Sequence, residues 1–411
     1  MNRKINNSFN LCIQEYNFYK GFKYCSELFD NFYKKHFNIK DDINPYTDLI
    51  MVFLYNKNLY KDYSWDPIIH SFRIINNKYV FDKIMENIII NKLVELTQKY
   101  YKLDSLWNKE LVNDIINNYI SSFNIKKYNI DTIFNDSIIF FKNKMKDVYD
   151  YYCIVRNEYI PIIIKTFEIK FINNMISFTS INNNNNDNDN NINDIINIKI
   201  HPTRYQRLLD LYNKHNNNNI FFHNHLYALL RRNRTIFWQY QVFYGNAVPH
   251  NVFEYYKTIS SNVYECFADP FNCYLDKYYS AFYDVDKAFG SLGSFFDNPP
   301  KKGFAIAHPP TEKYFINATI NTILSQIKKN KIIYILGLPI WSDYMKTEGQ
   351  KLIKNYDKIK INKEMILHTA NLDVDVNITK KYNYKYELYI IGKHKFNIKS
   401  LEDNINKSFV I

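Results

Sequence analysis

Residues 263–310 constrain this chain more than any other stretch. They run Val-Tyr-Glu-Cys-Phe-Ala-Asp-Pro-Phe-Asn-Cys-Tyr, then Tyr-Ser-Ala-Phe-Tyr-Asp-Val-Asp, then Phe-Gly-Ser-Leu-Gly-Ser-Phe-Phe, then Gly-Phe-Ala-Ile-Ala-His-Pro-Pro. Each apolar run is short, rich in β-branched or aromatic residues, and stops at a carboxylate, a glycine turn or a proline pair, the grammar of buried strands. Strands are expected at Val263–Ala268, Tyr279–Phe282, Gly303–Ala307 and Lys331–Leu336. The helix-length interval Glu312–Lys329 argues for a largely parallel α/β sheet. Such sheets bind nucleosides outside the carboxyl ends of their strands, and three acids sit there: Asp269, Asp284 and Asp286.

The order and identity of these residues closely resemble the phosphorylated-CTD-interacting factor family, cap-specific adenosine N6-methyltransferases of mRNA. The resemblance rests on Glu265-Cys266-Phe267-Ala268 through Asn272-Cys273-Tyr274. It also rests on Ser280-Ala281-Phe282, Asp284 with Asp286, and Phe289-Gly290-Ser291. It extends over roughly residues 200–345, with His201–Tyr212, Phe222–Arg232, Val248-Pro249 and Val252-Phe253-Glu254 upstream. Two positions depart from it. The family's Asn-Pro-Pro-Phe reads His308-Pro309-Pro310-Thr311, and its Pro-Glu-Trp reads Pro339-Ile340-Trp341. No WW module is read, because Trp65, Trp107, Trp238 and Trp341 lie too far apart.

The resemblance implies a Rossmann-like S-adenosylmethionine-dependent methyltransferase sheet on the C-terminal side. A mainly α-helical part with a small β component precedes it. The expected division is an accessory, RNA-binding domain over 1–240, with a disordered Asn-rich loop at 181–197, and a methyltransferase domain over 241–411. The catalytic positions would be His308, Pro309, Pro310 and Thr311. The cofactor contacts would be Glu265, Phe267, Asp269, Asn272, Asp284 and Asp286. In the family the Asn oxygen and the first Pro carbonyl accept the two amine protons of adenine, and the following aromatic stacks on the base. His308 when neutral offers one acceptor nitrogen, and Thr311 cannot stack; Tyr314 or Phe315 would have to replace it. The alternative is a catalytically degraded homologue that serves as an RNA-binding or partner subunit. A third reading, a methyltransferase fold acting on DNA or protein with His308 as general base, ranks behind both. The implied partners are capped mRNA, with RNA polymerase II or an active methyltransferase subunit beside it. The implied compartment is the nucleus for a cellular protein and the cytoplasm for a viral one.

The rest of the sequence sets bounds. The net charge of +12, with 53 Lys and Arg against 41 Asp and Glu, favours a polyanionic partner, although an AT-rich coding bias toward Lys gives the same number. Arg231, Arg232 and Arg234 close a helical segment and are candidate RNA contacts, or else a solvated face that complements the helix dipole. Five cysteines, widely spaced and without a Cys-x-x-Cys, argue against a disulfide framework and a zinc site; Cys266 and Cys273 are expected as buried thiols. The N-terminus lacks an apolar signal core, and no apolar run reaches membrane-spanning length, so a soluble protein in a reducing compartment is expected. Residues 1–150 read mostly as helices, from stripes such as Ile84, Ile88, Leu93 and Leu96. Residues 160–164, 167–171 and 198–200 read as strands, and the tail from Lys363, with the run 384–391, reads as alternating strand in an antiparallel closing hairpin.

Overall fold

The computed structural model describes residues 2–37, 72–75, 78–81, 143, 146, 147, 150, 166–181, 195–236, 247–310, 313–340, 347–361, 365–368, 375, 379–382, 386–395 and 397–408. The chain packs as two compact units, residues 17–162 and residues 1–16 with 163–411. The division expected at 240/241 falls inside the second of these.

In the 17–162 unit the described elements are the continuation of helix α1 (Asn2–Phe37) and an antiparallel hairpin of β1 (Phe72–Ile75) and β2 (Lys78–Phe81). The hairpin lies within a part expected to be mostly helical. Its strands are β-branched and aromatic runs, Phe-Arg-Ile-Ile and Lys-Tyr-Val-Phe. The stripes over 84–116 lie outside the described residues.

The other unit begins with a three-stranded antiparallel sheet, β3 (Thr166–Ile172), β4 (Met175–Ile181) and β5 (Ile195–Lys199). β5 shortens the Asn-rich connection expected at 181–197, since Ile195-Ile196-Asn197-Ile198 pairs with β4. The segment 182–194 lies outside the described residues. Helices α2 (Pro202–His215) and α3 (Phe222–Ile236) follow as the periodicity required. The side chain of His201 caps α2 by accepting from Thr203 N–H, and Pro202 supplies the preset first-turn dihedral. Residues of the first helical turns join here too, with Tyr16 stacked on Phe178.

The remaining elements are α4 (His250–Ile259), β6 (Val263–Glu265), α5 (Tyr283–Asp286), β7 (Lys302–Ala307), α6 (Lys313–Ile327), β8 (Lys331–Pro339), α7 (Glu348–Ile353), β9 (Asp357–Ile361), the hairpin β10 (Met365–His368) with β11 (Thr379–Tyr382), β12 (Tyr386–Ile391) and α8 (Ile398–Ser408). One five-stranded sheet runs β6-β7-β8-β12-β9. β6, β7 and β8 are parallel, and β12 is antiparallel to both neighbours. The fold is thus α/β with a mixed sheet. The final strand does not close a hairpin at the edge; it inserts between β8 and β9. That position explains why Leu388, Tyr389, Ile390 and Ile391 are all buried and not alternating, as a central strand covered on both faces requires.

The two faces of the sheet are read off the pleat. Phe304, Ile306, Ile335, Leu388 and Ile390 point to one side and pack with Val252, Phe253 and Tyr256 of α4 and Leu401 and Ile405 of α8. Ala305, Ala307, Tyr334, Leu336, Tyr389 and Ile391 point to the other and meet Ile316, Ile320 and Ile323 of α6 and Ile353 of α7. Each fully buried Ile or Leu contributes roughly 1.5–3 kcal/mol. The strand expected at 279–282 shrinks to a single parallel bridge between Tyr278 and Glu265. After that bridge the chain turns to the 291–293 loop, where Ser280 N–H donates to Gly293 O at 2.9 Å and Leu292 N–H donates to Tyr278 O at 2.9 Å.

Candidate functional site: the carboxyl edge of the parallel strands

The loop after β6 is held by its own acids. Glu265, at the strand end, is buried, and its Oε1 accepts from the N–H groups of Tyr274 at 2.8 Å and Leu275 at 2.7 Å. Burial pushes its carboxyl up to about 8, against those two N–H bonds, which favour the anion. Asp269 Oδ1 accepts from Phe271 N–H at 2.8 Å and Asn272 N–H at 3.0 Å, while Asn272 Oδ1 accepts from Asp269 N–H at 2.8 Å. This is an Asx turn with a reciprocal lock. Burial raises the Asp269 carboxyl to about 6, and the Arg207 and Arg204 guanidinium groups of α2 pull in the other direction. Arg207 also donates to Cys273 O, which pins the loop to α2. Glu265 and Asn272 therefore shape the loop, whereas Asp269 both shapes it and keeps a second oxygen. Phe267 packs against Phe295 and Phe296, with ring centroids 5.3 and 5.7 Å away. Cys266 and Cys273 are buried free thiols, as expected, with pKa values raised by burial.

The two acids of α5 separate in role. Asp284 is gripped by Arg232, whose Nη1 donates to Oδ1 at 3.1 Å and Nη2 to Oδ2 at 2.6 Å. Asp286 is buried, and its Oδ2 has no hydrogen-bond partner. Burial raises its carboxyl well above the usual range, aided by the charges of Asp269 and Asp284, against a hydrogen bond from Ser280 and the charge of Arg232. Beside it Ser280 Oγ and Ser291 Oγ share a hydrogen bond at 2.6 Å.

The arginines do not form a solvated face. Arg231 is buried, with its Nε 3.3 Å from Thr235 Oγ1. The Arg232 side chain is 1% exposed and bridges Asp284 to Glu15 of α1, whose side chain is also 1% exposed. Its Nε donates to Glu15 Oε2 at 2.9 Å. The guanidinium expected on RNA is thus committed to two carboxylates. Arg234 is half-buried in the last turn of α3. Sequence reasoning missed the Glu15 partner because 217 positions separate it from Arg232.

His308 follows the last residue of β7. Its ring lies over Gly337 of β8, so close that a Cβ built on Gly337 would sit 2.5 Å from His308 Cε1 and 2.7 Å from Nδ1. Its face lies near Tyr386 of β12, with ring centroids 6.3 Å apart and planes 23° from parallel. His308 Nε2 is buried without a hydrogen-bond partner. Burial lowers the imidazole to about 4, so the ring is neutral near pH 7. Pro309 is buried and Pro310 half-buried behind it. Thr311 and the Tyr314 side chain lie outside the described residues. Phe315 is buried, 6.5 Å from Phe296 by ring centroids, and so is unavailable to a base. The structure brings Asp269, Asp284 and Asp286 into one electrostatic group beyond β6. His308 packs instead toward β8 and β12.

This donor set suits a cationic amino-acid and nucleoside ligand. Acids line the strand ends, and Asp286 keeps a buried oxygen without a protein partner. Among the described residues no cluster suited to a metal ion is found, and no helix is long and apolar enough to cross a membrane. Comparison with known proteins points the same way. Two curated relatives named mRNA (2'-O-methyladenosine-N(6)-)-methyltransferase, from Homo sapiens and Mus musculus, are each 31% identical over 130 residues, which is 29% of this chain. The matched part spans 18% of the human protein and 17% of the mouse protein, so this chain corresponds to under a fifth of either. Residues 205–368 match the profile described as the phosphorylated CTD interacting factor 1 WW domain, so this segment is similar to that family.

Proposed function

We propose that this chain is an S-adenosylmethionine-dependent N6-methyltransferase acting on the 2'-O-methyladenosine next to an mRNA cap. The observation that carries the reading is His308: a neutral imidazole with a buried, unpartnered Nε2, set before Pro309-Pro310 at the carboxyl end of β7. Adenine N6 is a poor nucleophile because its lone pair is delocalised into the ring. Bound S-adenosylmethionine supplies the electrophilic methyl group. His308 Nε2 accepts one amine proton and the Pro309 carbonyl the other, which draws the lone pair back onto nitrogen. The gain is positioning and electrostatics, since a neutral imidazole accepts without first losing a proton.

In the same reading Asp269 meets the amino end of the cofactor with its second oxygen. Asp286 meets a ribose hydroxyl with its unpartnered Oδ2. Asp284 is the positioning partner of Arg232. The region beyond 240 holds the cofactor, and α2 supports it through Arg204 and Arg207. The test is calorimetry of the purified chain with S-adenosylmethionine. Binding in the micromolar range should fall about tenfold or more in Asp286→Ala. Absence of heat and of thermal shift at millimolar cofactor defeats the reading.

A further inference from the structure

We propose that Tyr386 is the aromatic wall on which the acceptor base lies, and that Gly337 keeps the His308 imidazole in place beside it. This rests on the reading of the site given above. A purine whose amine is held at His308 needs a flat apolar neighbour. Topology supplies one: β12 runs antiparallel, so its first residue, Tyr386, pairs opposite Pro339, the last residue of β8. Tyr386 therefore lies at the carboxyl edge of the parallel strands, the edge at which His308 leaves β7.

The local geometry agrees. The ring of Tyr386 is inclined only 23° to the imidazole, with centroids 6.3 Å apart. It is half-buried, and its core side packs against the cluster containing Ile361 and Leu388, which holds it in one orientation. Among the described residues, Phe267, Phe295 and Phe296 interlock with one another on the β6 side, and Phe315 is buried toward them. Tyr334 and Tyr389 are core residues. Position 337 must be glycine for the imidazole to lie where it does, because a Cβ would come within 2.5 Å of Cε1. The pair explains how a site with His at 308 and Thr at 311 keeps both an acceptor atom and a stacking surface.

The test uses a capped RNA whose first base is 8-vinyladenine, which keeps the 6-amino group and is quenched on stacking, with a distal fluorophore that reports binding by anisotropy. The natural protein should quench the 8-vinyladenine, and Tyr386→Phe should quench it equally. Tyr386→Leu and Tyr386→Met should lose most of the quenching and raise KM for capped adenosine RNA roughly tenfold, with unchanged S-adenosylmethionine affinity. Gly337→Ala should lower transfer strongly in the natural protein and much less in His308→Asn, whose shorter side chain has no Cε1. Equal quenching by the natural protein and both the Leu and Met variants overturns the proposal while leaving the methyltransferase reading standing. RNA bound without quenching by the natural protein overturns it too. No anisotropy change with any variant defeats the RNA reading itself, and the proposal with it.

Discussion

Arg232→Ala tests how the accessory helices are joined to the site. The substitution removes the guanidinium that bridges Glu15 and Asp284, whose side chains are 1% and 18% exposed. Asp284 can recover water, whereas Glu15 stays buried and loses this cation. Removing one partner of a buried ion pair typically costs about 3–5 kcal/mol. The loss is felt while the carboxylate is ionised, so the deficit is present at neutral pH and shrinks as pH falls through the ordinary carboxylate range near about 4.3. Urea unfolding of natural and variant proteins should therefore show a deficit of about 3–5 kcal/mol at pH 7 and a smaller one at pH 5. The variant's affinity for RNA, and the salt dependence of that affinity, should stay within about twofold where it is folded, since the guanidinium faces no phosphate. A pH-independent deficit below about 1 kcal/mol, or a selective loss of RNA binding, refutes the argument.

Three more outcomes follow from the site. Glu265 has a carboxyl raised to about 8, so its contribution to stability is present below about pH 4.5 and is lost as pH rises toward 8; Glu265→Gln keeps the acceptor for Tyr274 and Leu275 and should flatten that loss by a few kcal/mol in thermal or urea unfolding. Because burial lowers His308 to about 4, methyl transfer should be level in His308 protonation from pH 6 to 8 and fall only below about pH 5; a rise through pH 6–7, as an unburied imidazole would give, contradicts the geometry. Asp269→Asn retains the Oδ1 acceptor of the Asx turn but removes the charge. It should leave the melting temperature within a few degrees and weaken S-adenosylmethionine about tenfold by calorimetry, whereas equal affinity would make Asp269 a turn residue alone.

Much of the sheet was legible because its strands are apolar runs cut off by Asp, Gly or Pro. Val263, Gly303 and Lys331 each fall within one residue of an observed strand start. The shortfalls have physical causes. The run at 279–282 has strand composition, but its backbone bonds are divided between Glu265 and the 291–293 loop, so it forms only a bridge. The last strand reads as alternating until its place between β8 and β9 buries both faces. At the site, the acids and His308 were visible as strand-end residues. Their division of labour was not, because it depends on partners far off in sequence: Arg232 for Asp284, Gly337 and Tyr386 for His308. The burial of Arg232 is hidden in the sequence for the same reason, since it is set by α1 and α5 rather than by the helix that carries it.

The most direct measurement is transfer of labelled methyl from S-adenosylmethionine to a capped RNA beginning with 2'-O-methyladenosine, run beside the same RNA without a cap. The account predicts label recovered as N6-methylated 2'-O-methyladenosine from the capped RNA, at least tenfold above the uncapped control and reduced at least tenfold in His308→Ala. Cofactor and RNA both bound, with no label at N6, would contradict it.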